Sequence, residues 1–168
     1  GENATYVANG RYPRWSPDGK SLLIVTQQNS RDGFKFGRVD LESGEVTPFL
    51  EGYSFADQVR WFPDGKRVLG VRIASGERNL ITVSMTDEDN PVVELEPGNV
   101  EYPSVSIDGK WVSYVKGNMH GGNDIYVIDA DGKTPAKKLN VLPKLIKEDF
   151  CWLKEDNRIL FNVHGKVP

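Results

Sequence analysis

A six-residue phrase returns at nearly constant intervals along this chain, and it limits the possible folds more than any other feature. Trp15-Ser16-Pro17-Asp18-Gly19-Lys20 is followed by Trp61-Phe62-Pro63-Asp64-Gly65-Lys66, by Val105-Ser106-Ile107-Asp108-Gly109-Lys110, and by the degraded Trp152-Leu153-Lys154-Glu155-Asp156-Asn157. The acidic residues Asp18, Asp64, Asp108 and Glu155 lie 46, 44 and 47 residues apart. Proline in the first two copies presets φ, the acid in each can bond the backbone ahead of it, and glycine or asparagine accepts positive φ, so each phrase reads as a tight turn entered from a strand.

The residues after each turn supply the returning strand. Ser21 to Thr26, Arg67 to Arg72, Trp111 to Val115 and Arg158 to Val163 are rich in β-branched and aromatic residues and lack proline. A third strand is predicted at Phe34 to Asp40, Asn79 to Ser84 and Asp124 to Asp129. A fourth follows at Val46 to Leu50, Val92 to Leu95 and Ala136 to Leu139, polar enough for an outer edge, where Pro48 is tolerated. Four short antiparallel strands in a period of roughly 40–50 residues are the signature of a propeller blade. The expected fold class is all-β, a β-propeller of four-stranded antiparallel blades, three complete and a fourth partial. Blade limits fall near 11–50, 57–96, 101–140 and 149–164 in a single domain or propeller fragment, with residues 4–8 as a possible closing strand.

Composition excludes several functions. With 38% hydrophobic and 27% charged residues the chain reads as globular, and a net charge of -3 without a basic stripe argues against nucleic acid. The densest cationic cluster, Lys137, Lys138, Lys144 and Lys147, is offset by Glu148 and Asp149. The longest apolar run, Leu22 to Val25, is far too short to span a membrane as a helix. Cys151 is the only cysteine, so no intrachain disulfide or multi-cysteine metal site is expected. The start of the chain suits either a cytoplasmic protein or a mature form whose export signal has been removed.

No Gly-x-Ser-x-Gly elbow is present, and Ser16, Ser104 and Ser106 are accounted for as strand and turn residues. His120 and His164 follow second strands in corresponding loops, with Asn123, Asp124 and Asp149 as possible neighbours. Two histidines without fixed spacing read as solvated loop residues, so no metal and no cofactor are expected. Thr86 to Asn90 lacks the glycine and closing glutamate of a calcium loop and reads as a turn. Trp15, Trp61 and Trp152 keep the repeat register, which predicts three blade-core residues; Tyr12 and Tyr102 match each other, each just before a proline.

The Trp-Ser-Pro-Asp-Gly-Lys turn, together with Asp124-Ile125-Tyr126-Val127-Ile128-Asp129, resembles the repeat of the TolB-type, WD40-like β-propellers across nearly the whole chain. The resemblance implies that Trp15, Trp61 and Val105 pack in blade cores and that Asp18, Asp64 and Asp108 organise hairpins. The fourth copy departs from the pattern at Lys154 and Asp156. Such propellers serve as envelope scaffolds, as gating domains of serine peptidases and as parts of polysaccharide lyases. The implied role is therefore a non-catalytic scaffold for protein–protein interaction, periplasmic or extracytoplasmic, with a carbohydrate- or peptide-binding accessory propeller as the alternative.

Loops joining strands two to three, and four to the next blade, should share the ligand-bearing face. They cover residues 27–33, 51–57, 74–78, 98–102, 116–123 and 143–149. The candidate binding residues on that face are Arg31, Tyr53, Phe55, Arg78, Tyr102, His120 and Asp149. A protein partner is expected, as is self-association through exposed blade edges.

Overall fold

The structure is a computed structural model that describes residues 6–29, 33–56, 59–87, 89, 91–117, 121–139, 145–154 and 157–164. Its strands are β1 (Arg11–Trp15), β2 (Ser21–Asn29), β3 (Gly33–Asp40), β4 (Val46–Phe49), β5 (Ser54–Phe55), β6 (Arg60–Trp61), β7 (Arg67–Ala74), β8 (Glu77–Ser84), β9 (Val92–Glu96), β10 (Val100–Val105), β11 (Trp111–Gly117), β12 (Asn123–Asp129), β13 (Lys137–Leu139), β14 (Ile146–Trp152) and β15 (Ile159–His164). No helix occurs among the described residues, and every ladder is antiparallel. Sequential pairing gives β1-β2-β3-β4, β6-β7-β8-β9, β10-β11-β12-β13 and the pair β14-β15. These are the successive hairpin-built sheets of a β-propeller.

The repeated turn closes the same way each time. Ser16 N donates to Ser21 O at 2.9 Å, Phe62 N to Arg67 O at 2.9 Å, Ser106 N to Trp111 O at 2.9 Å and Leu153 N to Arg158 O at 2.8 Å. Gly19, Gly65 and Gly109 hold φ of 70°, 69° and 71°, a conformation that a Cβ disfavours. In the degraded copy the positive φ of 52° sits on Asn157, a residue type that tolerates it. Asp18 and Asp108 accept from the Ser16 and Ser106 hydroxyls at 2.6 Å, and from the Lys20 and Lys110 amides at 3.0 and 3.1 Å. These bonds, the hydroxyl foremost, hold both carboxyls below the usual carboxylate range. Successive turns abut: a Cβ on Gly65 would lie 3.6 Å from Pro17, and one on Gly109 3.5 Å from Pro63.

The core lies between sheets. Leu23, Val25 and Phe36 of the first meet Val68, Ile81 and Val83 of the second, while Leu69, Val71 and Leu80 on its other face meet Val112, Tyr114 and Ile128 of the third. Alternate residues of β7 therefore serve two interfaces, which is why the second strands are apolar throughout rather than alternating. One tie falls outside the repeat. β5 pairs with both β3 and β7, joining the first two sheets, and places Phe55 edge-on to Phe36 with ring centroids 5.3 Å apart. Gly70 makes room for that ring, because a Cβ there would lie 2.9 Å from it.

Two expectations need correcting. Phe55 is fully buried in the first interface and belongs to the core, not to the surface of a binding face. Trp15 is 62% exposed, whereas Trp152 is buried and Trp61 half-buried. The reason is directional: Trp61 reaches the sheet before its own, donating its indole N–H to Arg14 O at 3.2 Å, and no described sheet lies before Trp15. Ala4 and Thr5 lie outside the described residues; residues 6–8 form no strand, and Ala8 packs on Leu22, Ile24 and Val39.

Replacing Trp61 with Phe should cost about 0.5–1.5 kcal/mol in urea unfolding, the worth of a lost hydrogen bond, whereas Trp15→Phe should stay within about 0.5 kcal/mol. A second expectation concerns acid. Asp129 is held down to about 2, first by the Thr134 hydroxyl at 2.6 Å and then by the amides of Lys133, Thr134 and Asp131. A carboxyl lowered in the folded state contributes stability above its ordinary value near 3.8 that is lost as pH falls towards 2. Unfolding followed from pH 5 to pH 2 should show this loss, and Asp129→Asn should flatten that part of the profile.

Candidate functional site

Three of the ladder irregularities fall in the first strand of a sheet. Register slips between Arg11 and Arg14 in β1, between Glu101 and Ser104 in β10, and between Glu148 and Cys151 in β14. The first two slips share a cause: Pro13 and Pro103 have no N–H for the ladder, and a bulge absorbs the missing bond. Tyr12 and Tyr102, the residues before those prolines, take φ of 52° and 50°. Such a conformation in a large residue costs on the order of 1–3 kcal/mol, which the ladders on either side sustain. Asp149 lies within the third slip, 47 residues after Tyr102, so two of the sequence candidates and Tyr12 hold equivalent bulge positions.

Arg78 and Tyr102 sit on strands rather than loops, because β8 and β10 begin earlier than their hydrophobic patterns suggest. The structure brings them together. Both line a small cleft of about 220 Å³ with Glu101, Val100 and Ala56. The Arg78 guanidinium donates to the Glu101 carboxylate, with both side chains roughly half-exposed. An ion pair so open to solvent adds little stability, about 0–1 kcal/mol at most, and leaves its charges available at the rim. The cleft offers a cation, an anion and a phenol over an apolar floor, a set suited to recognition.

The other candidates lie apart. Tyr53 lines a separate groove with Pro48, Leu50 and Val92; its ring carries the Arg72 guanidinium at 4.4 Å, and its carbonyl accepts from Lys35 Nζ at 2.7 Å. Arg31 and His120 fall outside the described residues, and Asp149 is placed only by its backbone in β14. His164 Nε2 lies 3.2 Å from a Glu148 oxygen, on the outward side of β15. Among the described residues no three His, Cys, Asp or Glu side chains converge as a metal site would require.

Residue-by-residue reading missed the clamps at the start of the third strands. Asn79, 44 residues before Asn123, accepts from Gly98 N at 3.0 Å and donates to Glu94 at 3.0 Å. Asn123 pairs its amide with the main chain of Lys147, accepting at 2.8 Å and donating at 3.0 Å, and so ties the third sheet to β14. Lys147 is fully buried at a position matching Val100, its ammonium held by the carbonyls of Asn123 and Leu145. Burial pushes that ammonium below the usual lysine range, and the nearby Asp124 carboxylate opposes the shift. The repeated asparagine was the available signal. Asn123→Ala should cost roughly 1–3 kcal/mol, because it strands buried polar groups, and should speed hydrogen exchange at the Lys147 amide.

No family model matches the chain. Among curated proteins it is similar to dipeptidyl-peptidase 5 of Porphyromonas gingivalis, 23% identical over 124 residues, which are 70% of this chain and 18% of that protein. Among solved structures it is similar to TolB from Acinetobacter baumannii, with a TM-score of 0.64 and 21% identity over 96% of this chain and 41% of that one. It is also similar to a prolyl endopeptidase, with a TM-score of 0.69 and 17% identity over 91% of this chain and 24% of the other. The chain thus spans less than half of each of these three proteins. At these identities the likeness establishes architecture, and the chain has the β-propeller fold shared by TolB and its structural relatives.

Proposed function

We propose that this chain is a non-catalytic propeller scaffold that binds another protein, as TolB-like propellers do, and that it works in the periplasm or another extracytoplasmic space. The observation that carries this reading is the cleft in which Arg78, Glu101 and the strained Tyr102 meet. Tyrosine and arginine dominate binding energy at protein interfaces, and a bulge that re-aims a side chain at a cost in backbone strain is a common device of binding sites. Arg31, His120 and Asp149 belong to the same proposed face, and open sheet edges provide for self-association.

The second reading is an accessory propeller of a peptidase, favoured by the sequence match to a dipeptidyl-peptidase and by the structural match to a prolyl endopeptidase. There the same face would guide peptide towards a separate catalytic domain.

The test is to isolate a partner by crosslinking to the intact protein in an envelope extract and then titrate the purified pair. Tyr102→Ala and Arg78→Ala should each weaken binding about tenfold or more, equivalent to about 1.4 kcal/mol. Turnover of a peptide or oligosaccharide substrate by the purified chain, abolished by a single substitution in the cleft, would replace the scaffold reading with an enzyme.

A further inference from the structure

The cleft of Arg78, Glu101 and Tyr102 lies on the seam between the second and third sheets, with the first sheet packed before that seam and β14 tied on after it. Arg78 comes from β8, and Glu101 and Tyr102 come from β10. A second ion pair crosses the same seam with the opposite polarity. Lys116 of β11 donates to the Glu96 carboxylate of β9 at 2.6 Å and to Pro97 O at 2.7 Å. It stands opposite Val100 in the β10–β11 ladder, and Val100 lines the cleft. The two pairs cancel, so neither sign of charge dominates among them.

At about 220 Å³ the cleft is smaller than the roughly 300–1,000 Å³ of small-molecule sites, a size that suits one side chain. Ala56 and Val100 offer it apolar surface, while the rim sets guanidinium donors beside a carboxylate acceptor. A carboxylate entering here meets Arg78 but faces Glu101, and an ammonium meets Glu101 but faces Arg78. Either must part the existing pair and leave one member beside a like charge. An apolar side chain displaces water from both charged groups and replaces none of its bonds. A primary amide avoids all three costs. Its carbonyl accepts and its NH2 donates on one planar group, so it can lie along the pair with oxygen towards Arg78 and nitrogen towards Glu101.

We propose that the cleft receives a carboxamide side chain, glutamine or asparagine, from the partner protein, a proposal that rests on the reading of this cleft as a protein-binding site. Arg78 donates to the amide oxygen, Glu101 accepts from the amide nitrogen, and the methylenes rest on Ala56 and Val100. Tyr102, fixed by its bulge, stands beside the entering group.

The probes are the N-acetyl methylamides of glutamine, glutamate, lysine and leucine, which differ only in the side chain. Each is titrated into the intact, nitrogen-15-labelled protein and followed by the amide signals of Arg78, Glu101 and Tyr102. Saturable shifts are expected with glutamine, and binding about fivefold or more weaker with the other three. Glutamine binding should change less than about twofold between low and high salt, because the ligand carries no net charge. Glu101→Lys should turn the preference to glutamate by about tenfold, and Arg78→Glu should turn it to lysine, gains that misfolding cannot produce. Lys20→Ala, in the first repeated turn, should leave every affinity unchanged. The proposal is overturned by absence of saturable glutamine shifts, by equal or tighter binding of glutamate, lysine or leucine, or by failure of either charge substitution to change the preference. In any of these cases the scaffold reading still stands if Arg78→Ala and Tyr102→Ala weaken binding of the isolated partner; if they do not, the cleft loses both roles.

Discussion

The structure depends on the burial of its second strands from both sides. β7 shows this most fully: Val68 faces one neighbouring sheet and Leu69 and Val71 the other, all without exposure to solvent. No single four-stranded sheet can bury two apolar faces alone, so each needs a sheet before and after it. The turns enforce that stacking, because their glycines accept positive φ and lie against the proline of the preceding turn.

The same constraint separates what was legible in the residues from what was not. The period, the turn chemistry and nearly every strand could be read, since local rules decide them: proline, aspartate and glycine at fixed offsets, then runs of β-branched residues. Trp15 and Phe55 could not, because their burial depends on which sheet stands opposite. Trp15 keeps the repeat register yet has no described sheet before it, while Phe55 leaves the register and becomes core through β5. Lys147 is a further case, a charged residue at a buried position whose ammonium is capped by two carbonyls and favoured by the nearby Asp124 carboxylate.

The candidate site was half legible. The sequence matched Tyr12 with Tyr102, each before a proline, and the structure places both in bulges with positive φ. The meeting of Arg78 with Glu101 and Tyr102 joins residues of two strands 23 and 24 positions apart in the chain and has no local signature. Propellers carry many functions on one architecture, so the fold narrows the place of binding more than the identity of what is bound.

The claim on which all of this rests is that each sheet leans on the one before it. Brief oxidative footprinting of the folded protein, with the tryptophan-containing peptides quantified by mass spectrometry, tests it directly. Rapid modification of Trp15 with strong protection of Trp152 and intermediate protection of Trp61 is the result expected. Equal modification of the three would contradict it.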